Sequence, residues 1–292
     1  MPFNTELTRK LGITSKPVQD SLIHLAQEIR KCRTLTTKPF GINITLFPTL
    51  IPPDYGAYVQ TIVERVTVVE TAGNNPGPVI RQLKEAGITV IHKCPTLRHA
   101  QSAIKLGVDF LSIDGFECGG HVGEHDITTL ILLGRARQEL GVPFIASGGF
   151  IDGYGLAVAM ALGAEEINMG TRLMCTVESP IHSKVKEAIV AAQETDTALA
   201  MRRWTNTTRL IEKESTTGKF EEIASLVSGK RGQQVFLDGD VDAGVWTAGQ
   251  AVGLIKDIPT CRDLLERDER EALSTVTAIK SSWVEEPTRS RI

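Results

Sequence analysis

Residues 143–172 read PFIASGGFIDGYGLAVAMALGAEEINMGTR, and this stretch decides the fold. Phe144-Ile145-Ala146 is a short apolar run that stops at Ser147-Gly148-Gly149. Leu156, Val158, Ala159 and Leu162 follow at helical spacing, and Gly163 stands just past the last of them, where a helix commonly closes. A second apolar strand, Ile167-Asn168-Met169, ends at Gly170-Thr171. Two consecutive strands thus each run into a glycine turn that opens a helix. Glycine lets the backbone approach a ligand closely, and the unpaired N–H groups of a helix start favour an anion. In (β/α)8 barrels the loops after the last two strands frequently form a phosphate site. Ser147, Gly148, Gly149, Gly170 and Thr171 are therefore candidate anion-binding residues.

Working outward, the same alternation continues towards the N-terminus. Apolar strands are expected at residues 38–44, 66–70, 88–91 and 109–113, with helices at 55–65, 79–86, 97–106 and 127–140. An earlier helix starts near Asp20 and carries Leu22, Leu25, Ile29 and Cys32. Near-continuous apolar strands alternating with helices imply a parallel sheet covered on both faces or closed into a barrel. With residues 143–172 the series has six strands, where a closed (β/α)8 TIM barrel has eight, and the segment around Val18 is the one further candidate. Beyond residue 176 the chain reads as mainly helical: 182–193, 220–227, 245–255 and a charged amphipathic stretch at 261–272. Residues 229–244 read as loop with a short strand at 235–237, and the last twenty or so as a loosely held tail. The expected division is a TIM-barrel-type domain at 1–176, a helical and loop extension on the substrate side at 177–260, and a C-terminal helix and tail at 261–292.

Composition narrows the function. The chain has 292 residues with a formal net charge of −3, so no basic field argues for nucleic acid or an anionic membrane surface. Five widely spaced cysteines form no CxxC pair and no zinc pattern, which points to free thiols in a reducing compartment. No signal peptide or membrane span is visible, so a cytoplasmic protein is expected. Ser290-Arg291-Ile292 loosely resembles a peroxisomal address and keeps that compartment as the alternative.

Strand ends in such folds face the active site. They present Asn43 and Thr45, Glu70, His92 and Lys93, Asp114 and Glu117, besides the two glycine turns. Lys93 could set a positive charge beside an electron-accepting ring, whereas His92 reads equally well as a satisfied structural histidine. The densest loop is Gly115-Phe116-Glu117-Cys118-Gly119-Gly120-His121. Glycines leave the His121 imidazole unhindered and let a flat ligand come close, which suits a base that takes a proton from a carbon acid. His121-Val122-Gly123-Glu124-His125 also fits a zinc pattern, but that chemistry needs both histidines on one helical face, and Gly123 interrupts it. Asp126 reads as the N-cap of the next helix.

Thr71-Ala72-Gly73-Asn74-Asn75-Pro76, Val90-Ile91-His92-Lys93-Cys94, residues 113–121 and Ala146-Ser147-Gly148-Gly149-Phe150 together resemble the nitronate monooxygenase family, formerly the 2-nitropropane dioxygenases. Ile167-Asn168-Met169-Gly170-Thr171-Arg172, Gly239-Asp240, Gly244-Val245-Trp246 and Gly249-Gln250 match as well, so the resemblance covers roughly residues 38–270. It implies an FMN-binding TIM barrel with the flavin phosphate on Gly148, Gly149, Gly170 and Thr171. Lys93 and Gly119 fall on flavin contacts, and Asn43 and Thr45 lie in the strand approaching the ring. The family's base corresponds to His121, which takes the α-proton of a neutral nitroalkane. The nitronate is then oxidised with dioxygen to a carbonyl compound and nitrite. Some very similar proteins are instead NAD(P)H:quinone reductases on the same FMN scaffold. Small-molecule partners follow (nitronate or nitroalkane with dioxygen, or NAD(P)H with a quinone), and a homo-oligomer is among the expectations. One departure stands out. Family members begin with a strand ending in Gln-Gly-Gly-Met, a helix and a second strand around Gly-Gly-Leu-Gly. Here Pro17-Val18-Gln19 runs straight into Asp20-Ser21 and the next helix. The first βαβ segment, with one wall of the flavin pocket, is thus expected to be missing, and a shortened non-catalytic relative is a third reading.

Overall fold

The structure, a computed structural model, describes residues 18–46, 53–202, 207–211 and 229–283. Helix α1 (Val18–Leu35) leads into β1 (Gly41–Leu46), α2 (Tyr55–Val63), β2 (Val68–Gly73), α3 (Gly77–Glu85), β3 (Thr89–Cys94), α4 (Leu97–Lys105) and β4 (Phe110–Asp114). A two-residue strand β5 (Gly120–His121) precedes α5 (Thr129–Glu139), β6 (Phe144–Ser147), α6 (Gly153–Ala161), β7 (Glu166–Asn168) and α7 (Gly170–Met174). Strands β1-β2-β3-β4-β6-β7 form one parallel sheet in that order. This is the expected (β/α)8-barrel type of architecture, with six barrel strands among the described residues. Val18 opens α1 and contributes to no strand.

The helices begin where short polar side chains replace missing backbone partners. Asp54 accepts from Ala57 N at 3.0 Å, Thr96 from His99 N at 3.3 Å and Asp152 from Gly155 N at 2.8 Å. Helix α6 closes at Gly163, whose φ of 91° lies in the left-handed region. Strand alternation then sorts the layers. Ile42, Ile44, Val69, Val90, Leu111 and Ile113 are buried with Leu25, Ile29, Ile62, Ile80 and Leu83 from the covering helices in one apolar core. Each such side chain removed from water contributes about 2 kcal/mol. The intervening positions, among them Asn43, Glu70, Lys93 and Asp114, turn to the opposite face and line a cavity.

The C-terminal part comprises α8 (Ser183–Ala191), β8 (Thr197–Ala200), β9 (Thr208–Ile211), α9 (Gly229–Asp238), a 3-10 turn at Gln250–Leu254 and α10 (Cys261–Trp283). It differs from the sequence expectation in four places. Strands β8 and β9 were not expected; they build a small antiparallel sheet in the order β5-β9-β8. The strand expected at 235–237 is the end of α9, because Val235 buries itself in a second apolar core with Ile189, Val252 and Ile255 and pairs with no strand. The helix expected at 245–255 is confined to the 3-10 turn, because Gly249 is held extended against the 117–119 loop. Helix α10 runs through Trp283, well into the expected tail. The helix expected at 220–227 and the Ser290-Arg291-Ile292 terminus lie outside the described residues. Among the described residues no helix is long and apolar enough to cross a membrane.

Candidate active site

All six parallel strands end on one side, and there they enclose a cavity of about 270 Å³. Asn43, Thr45, Lys93, Gly119, Ser147, Gly148, Gly149, Gly170 and Thr171 all line it. Eight of these were expected from the strand ends and Gly119 from the family resemblance, and the fold brings all nine into one space.

At the β6–β7 end the cavity offers donors. Gly148 and Gly149 have φ of 95° and 87°, which side chains rarely adopt, and a Cβ at Gly148 would lie 3.0 Å from Gly115 O. Among the described residues the backbone N–H groups of Gly149 and Phe150 donate to no protein acceptor. Thr171 Oγ1 accepts from Gly249 N at 2.9 Å, which leaves its own proton to donate elsewhere. The helix starts contribute less than the sequence implies. Helix α6 begins only at Gly153, where Asp152 caps it and Glu271 Oε2 accepts from Gly153 N at 3.2 Å; α7 is five residues long. Loop N–H groups and a threonine hydroxyl, rather than helix dipoles, are the donors that this end of the cavity offers.

At the β1–β4 end the cavity offers acceptors. Asn43 Nδ2 donates to Glu70 Oε2 at 2.6 Å, and Thr45 Oγ1 donates to Asn43 Oδ1 at 2.9 Å. The Lys93 ammonium lies 3.5 Å from Asp114 Oδ2 and 3.9 Å from Glu70 Oε1. Burial alone would lower the pKa of Lys93, but Asp114 and Glu70 outweigh it and hold it above the ordinary lysine range. Lys93 is thus a fixed cation shared by two carboxylates, not the unaccompanied charge its strand-end position implied. Cys118 also lines the cavity, and burial raises its thiol pKa well above the usual value, which disfavours the thiolate.

The wall between these ends is built by close backbone approach. The N-cap position of α5 is Thr128, not Asp126, and Glu117 Oε2 accepts from Thr129 N at 2.8 Å and from Thr129 Oγ1 at 2.6 Å at the helix start. Asp126 pairs instead with Arg202 at 2.6 Å. Gln250 N donates to Glu117 O at 2.9 Å, and a Cβ on Gly119 would lie 2.7 Å from Gly249 N. This brings Thr247, Gly249 and Ala251 to the cavity. The sequence reading did not name them as ligand contacts, although Gly249 falls in one of the quoted motifs.

His121 is placed differently. It is exposed on β5, opposite Thr208 of β9, two residues beyond Gly119, and it does not line the cavity. The 121–125 segment is not helical; Gly123 has φ of 80° and Glu124 accepts from Thr207 N and Oγ1 at 3.1 and 2.6 Å. The zinc-pattern spacing therefore does not put both histidines on one helical face. His92 faces away from the cavity, with Nδ1 2.8 Å from Thr71 Oγ1.

A family model described as nitronate monooxygenase matches residues 11–267. The chain belongs to the nitronate monooxygenase family. Its relatives in the family carry oxidoreductase names of more than one kind. The 5-hydroxy-7a-methyl-1-oxo-octahydro-1H-indene-4-carboxyl-CoA dehydrogenase of Rhodococcus jostii is 30% identical over 92% of this chain and 87% of its own length. The nitronate monooxygenase of Paraburkholderia phytofirmans is 25% identical over 86% of this chain and 83% of its own. The structure of FabK from Thermotoga maritima covers 96% of this chain and 92% of that one with a TM-score of 0.83 at 30% identity. Nitroalkane oxidase from Streptomyces ansochromogenes shares the fold, with a TM-score of 0.74 at 24% identity over 88% of this chain and 87% of its own. The alignment to the Rhodococcus protein spans 314 positions, more than the 292 residues of this chain, so that relative carries residues with no counterpart here.

Proposed function

We propose that the chain is a flavin-dependent oxidoreductase that binds FMN in the strand-end cavity. It oxidises alkyl nitronates and nitroalkanes with dioxygen to carbonyl compounds and nitrite. The observation that carries the cofactor reading is the polarity of the cavity. Free N–H groups of Gly149 and Phe150 and the Thr171 hydroxyl gather at one end, and carboxylates around the Lys93 ammonium at the other. A phosphorylated polyol joined to a heterocycle meets both ends, whereas a simple anion would leave the acidic end without donors.

When bound, FMN supplies the electron-accepting ring. The residues of this chain do the rest. Gly149, Phe150 and Thr171 donate to the phosphate, and Lys93, kept protonated by its two carboxylates, donates to an acceptor of the ring. The packing of Gly119 on Gly249 keeps water out of one wall. His121, exposed and two residues beyond Gly119, is accessible to a substrate arriving from solvent and takes its α-proton. The family model supports a nitronate as substrate. A His121→Asn variant should lose activity on neutral nitroalkanes, read as nitrite release, and keep it on pre-formed nitronates; equal loss on both excludes His121 as the base.

A reductase reading on the same scaffold has its own support. The carboxyl-CoA dehydrogenases of Rhodococcus jostii and Mycobacterium tuberculosis match 92% and 90% of the chain at 30% and 29% identity. In that reading NAD(P)H would reduce the flavin and a quinone would take up the two electrons. Anaerobic mixing separates the two. Rapid bleaching of the bound flavin by NAD(P)H favours the reductase, and bleaching by a nitronate but not by NAD(P)H favours the monooxygenase. A protein that binds no flavin excludes both and leaves the shortened non-catalytic relative.

A further inference from the structure

The donor end of the cavity stands on short elements. Gly170 and Thr171 open α7, a helix of five residues that follows the three-residue strand β7. A helix this short does not persist through its own hydrogen bonds, so its place is set by what it is tied to. The tie is Arg172, next in the chain to Thr171 and 2% exposed although it carries a full charge. Its Nη1 donates to Asp257 Oδ1 at 3.1 Å, and its Nη2 donates to Asp257 O and to Cys175 O, each at 3.0 Å. Among the described residues Asp257 is the one carboxylate that pairs with Arg172.

Asp257 ends a strap that lines the same cavity. The strap runs from Thr247 through the 3-10 turn, and Thr247, Gly249 and Ala251 reach the cavity from it. It meets α7 at two points: Gly249 N donates to Thr171 Oγ1 at 2.9 Å, and Asp257 receives Arg172. Asp257 Oδ2 accepts from Arg267 Nη1 at 2.6 Å, which joins α10 to the pair. Neither Arg172 nor Asp257 lines the cavity, so what they do for a ligand passes through Thr171 and the strap. A guanidinium held by two acceptors of one residue is fixed in direction as well as in place. It therefore sets the rotation of α7, and with it the position of the Thr171 hydroxyl.

We propose that Asp257 is a positioning residue for the anion site: through Arg172 it locks α7 to the strap and holds the Thr171 hydroxyl where it donates to a phosphate. Asp257 is itself negative, so its field opposes the binding that its geometry serves. The two effects have opposite signs, and a neutral substitute separates them. This rests on the flavin reading above, in which FMN brings the phosphate.

The test compares FMN with riboflavin, which lacks the phosphate, on the full-length protein by quenching of flavin fluorescence. The wild type should prefer FMN. In Asp257→Asn that preference should fall about ten-fold, the size expected of a hydrogen bond to a charged group, while riboflavin affinity changes little. A preference that rises means that the charge of Asp257 acts and its geometry does not, and overturns the inference. An unchanged preference, or equal losses for both ligands, leaves Asp257 a merely structural role and overturns it as well. Arg172→Lys keeps the charge but loses the fork, so it should show the same selective loss. If Asp257→Asn, which leaves Arg172 buried without its counter-ion, does not fold by circular dichroism, Arg172→Lys decides alone. Failure of both to fold assigns the network to stability and overturns the inference. A wild type that binds FMN no better than riboflavin overturns the phosphate site, one that binds neither overturns the flavin reading, and this inference falls with each.

Discussion

His92 and Lys93 are neighbours in the chain with opposite surroundings, because a strand turns successive side chains to opposite faces. Lys93 meets two carboxylates in the cavity and keeps its proton. His92 is buried on the helix-covered side, and burial lowers its pKa from 6.5 to about 4 despite the opposing bond with Thr71. Between those values the unfolded chain binds a proton that the folded one does not, so this group stabilises the fold above pH 6.5 and that stability is lost as pH falls towards 4. Asp268 on α10 titrates over an overlapping window with the opposite sign. Both its carboxylate oxygens are buried without partners, and burial, with Glu271 and Asp152 nearby and against the pull of Arg267, raises its pKa from 3.8 to about 6. Here the folded chain holds the extra proton, so stability falls as pH rises through that range. Asp268→Asn should therefore be more stable than the wild type at pH 7, by about 1–3 kcal/mol in urea unfolding. The advantage should vanish near pH 4, where Asp268 is itself protonated, and an equal gain at both pH values would count against this assignment.

Among the elements, α10 meets α6 in close backbone contact at Gly153. A Cβ on Gly153 would lie 2.1 Å from Asp268 O and 2.7 Å from Ala272 N, and Glu271 accepts from Gly153 N. Gly153→Ala should push α10 away from α6, cost about 1–3 kcal/mol as an overpacked contact does, and expose α10 to limited proteolysis. Unchanged protease resistance would mean that the two helices can slide apart without loss. The βα alternation around this point was legible in the sequence because glycine turns and near-continuous apolar strands are local signals. The strand ends likewise announced eight of the cavity residues, and the family resemblance added Gly119. Strands β8 and β9 were not legible: four residues each, they exist through pairing of β9 with β5, as Thr208 with His121, and of β8 with β9, and no local pattern encodes those partners. The three apolar residues 235–237 fit strand or helix equally, and only burial of Val235 decides. Thr247 and Ala251 reach the cavity through the Gly119–Gly249 approach, which joins segments far apart in the chain. Asp114 was visible as a strand end, but its unpaired oxygen is a property of coordinates alone.

On the scale of the whole molecule, the apolar core of the barrel extends from α1 to β7, and a second core gathers Ile151, Cys175 and the C-terminal elements. Among the described residues the six-stranded sheet ends on one side at β7, which is three residues long, partly exposed and paired there with β6 alone. Yet β7 carries Asn168 and leads straight into Gly170 and Thr171, part of the donor end of the cavity. This marginal strand thus carries part of the cavity wall. Occupancy of the cavity should act as a clasp on that margin: ligand at a hundred times its dissociation constant adds about 2.7 kcal/mol to the free energy of unfolding. Amide hydrogen exchange should register this locally, with Ile167 and Asn168 slowed by FMN far more than Val90 or Ile91 in the interior strand β3. Uniform slowing, or none, would show that the margin is already held without the ligand. A protein whose ligand grips a marginal strand would then depend on its cofactor for endurance as well as for chemistry, and its lifetime in a cell would follow the supply of flavin.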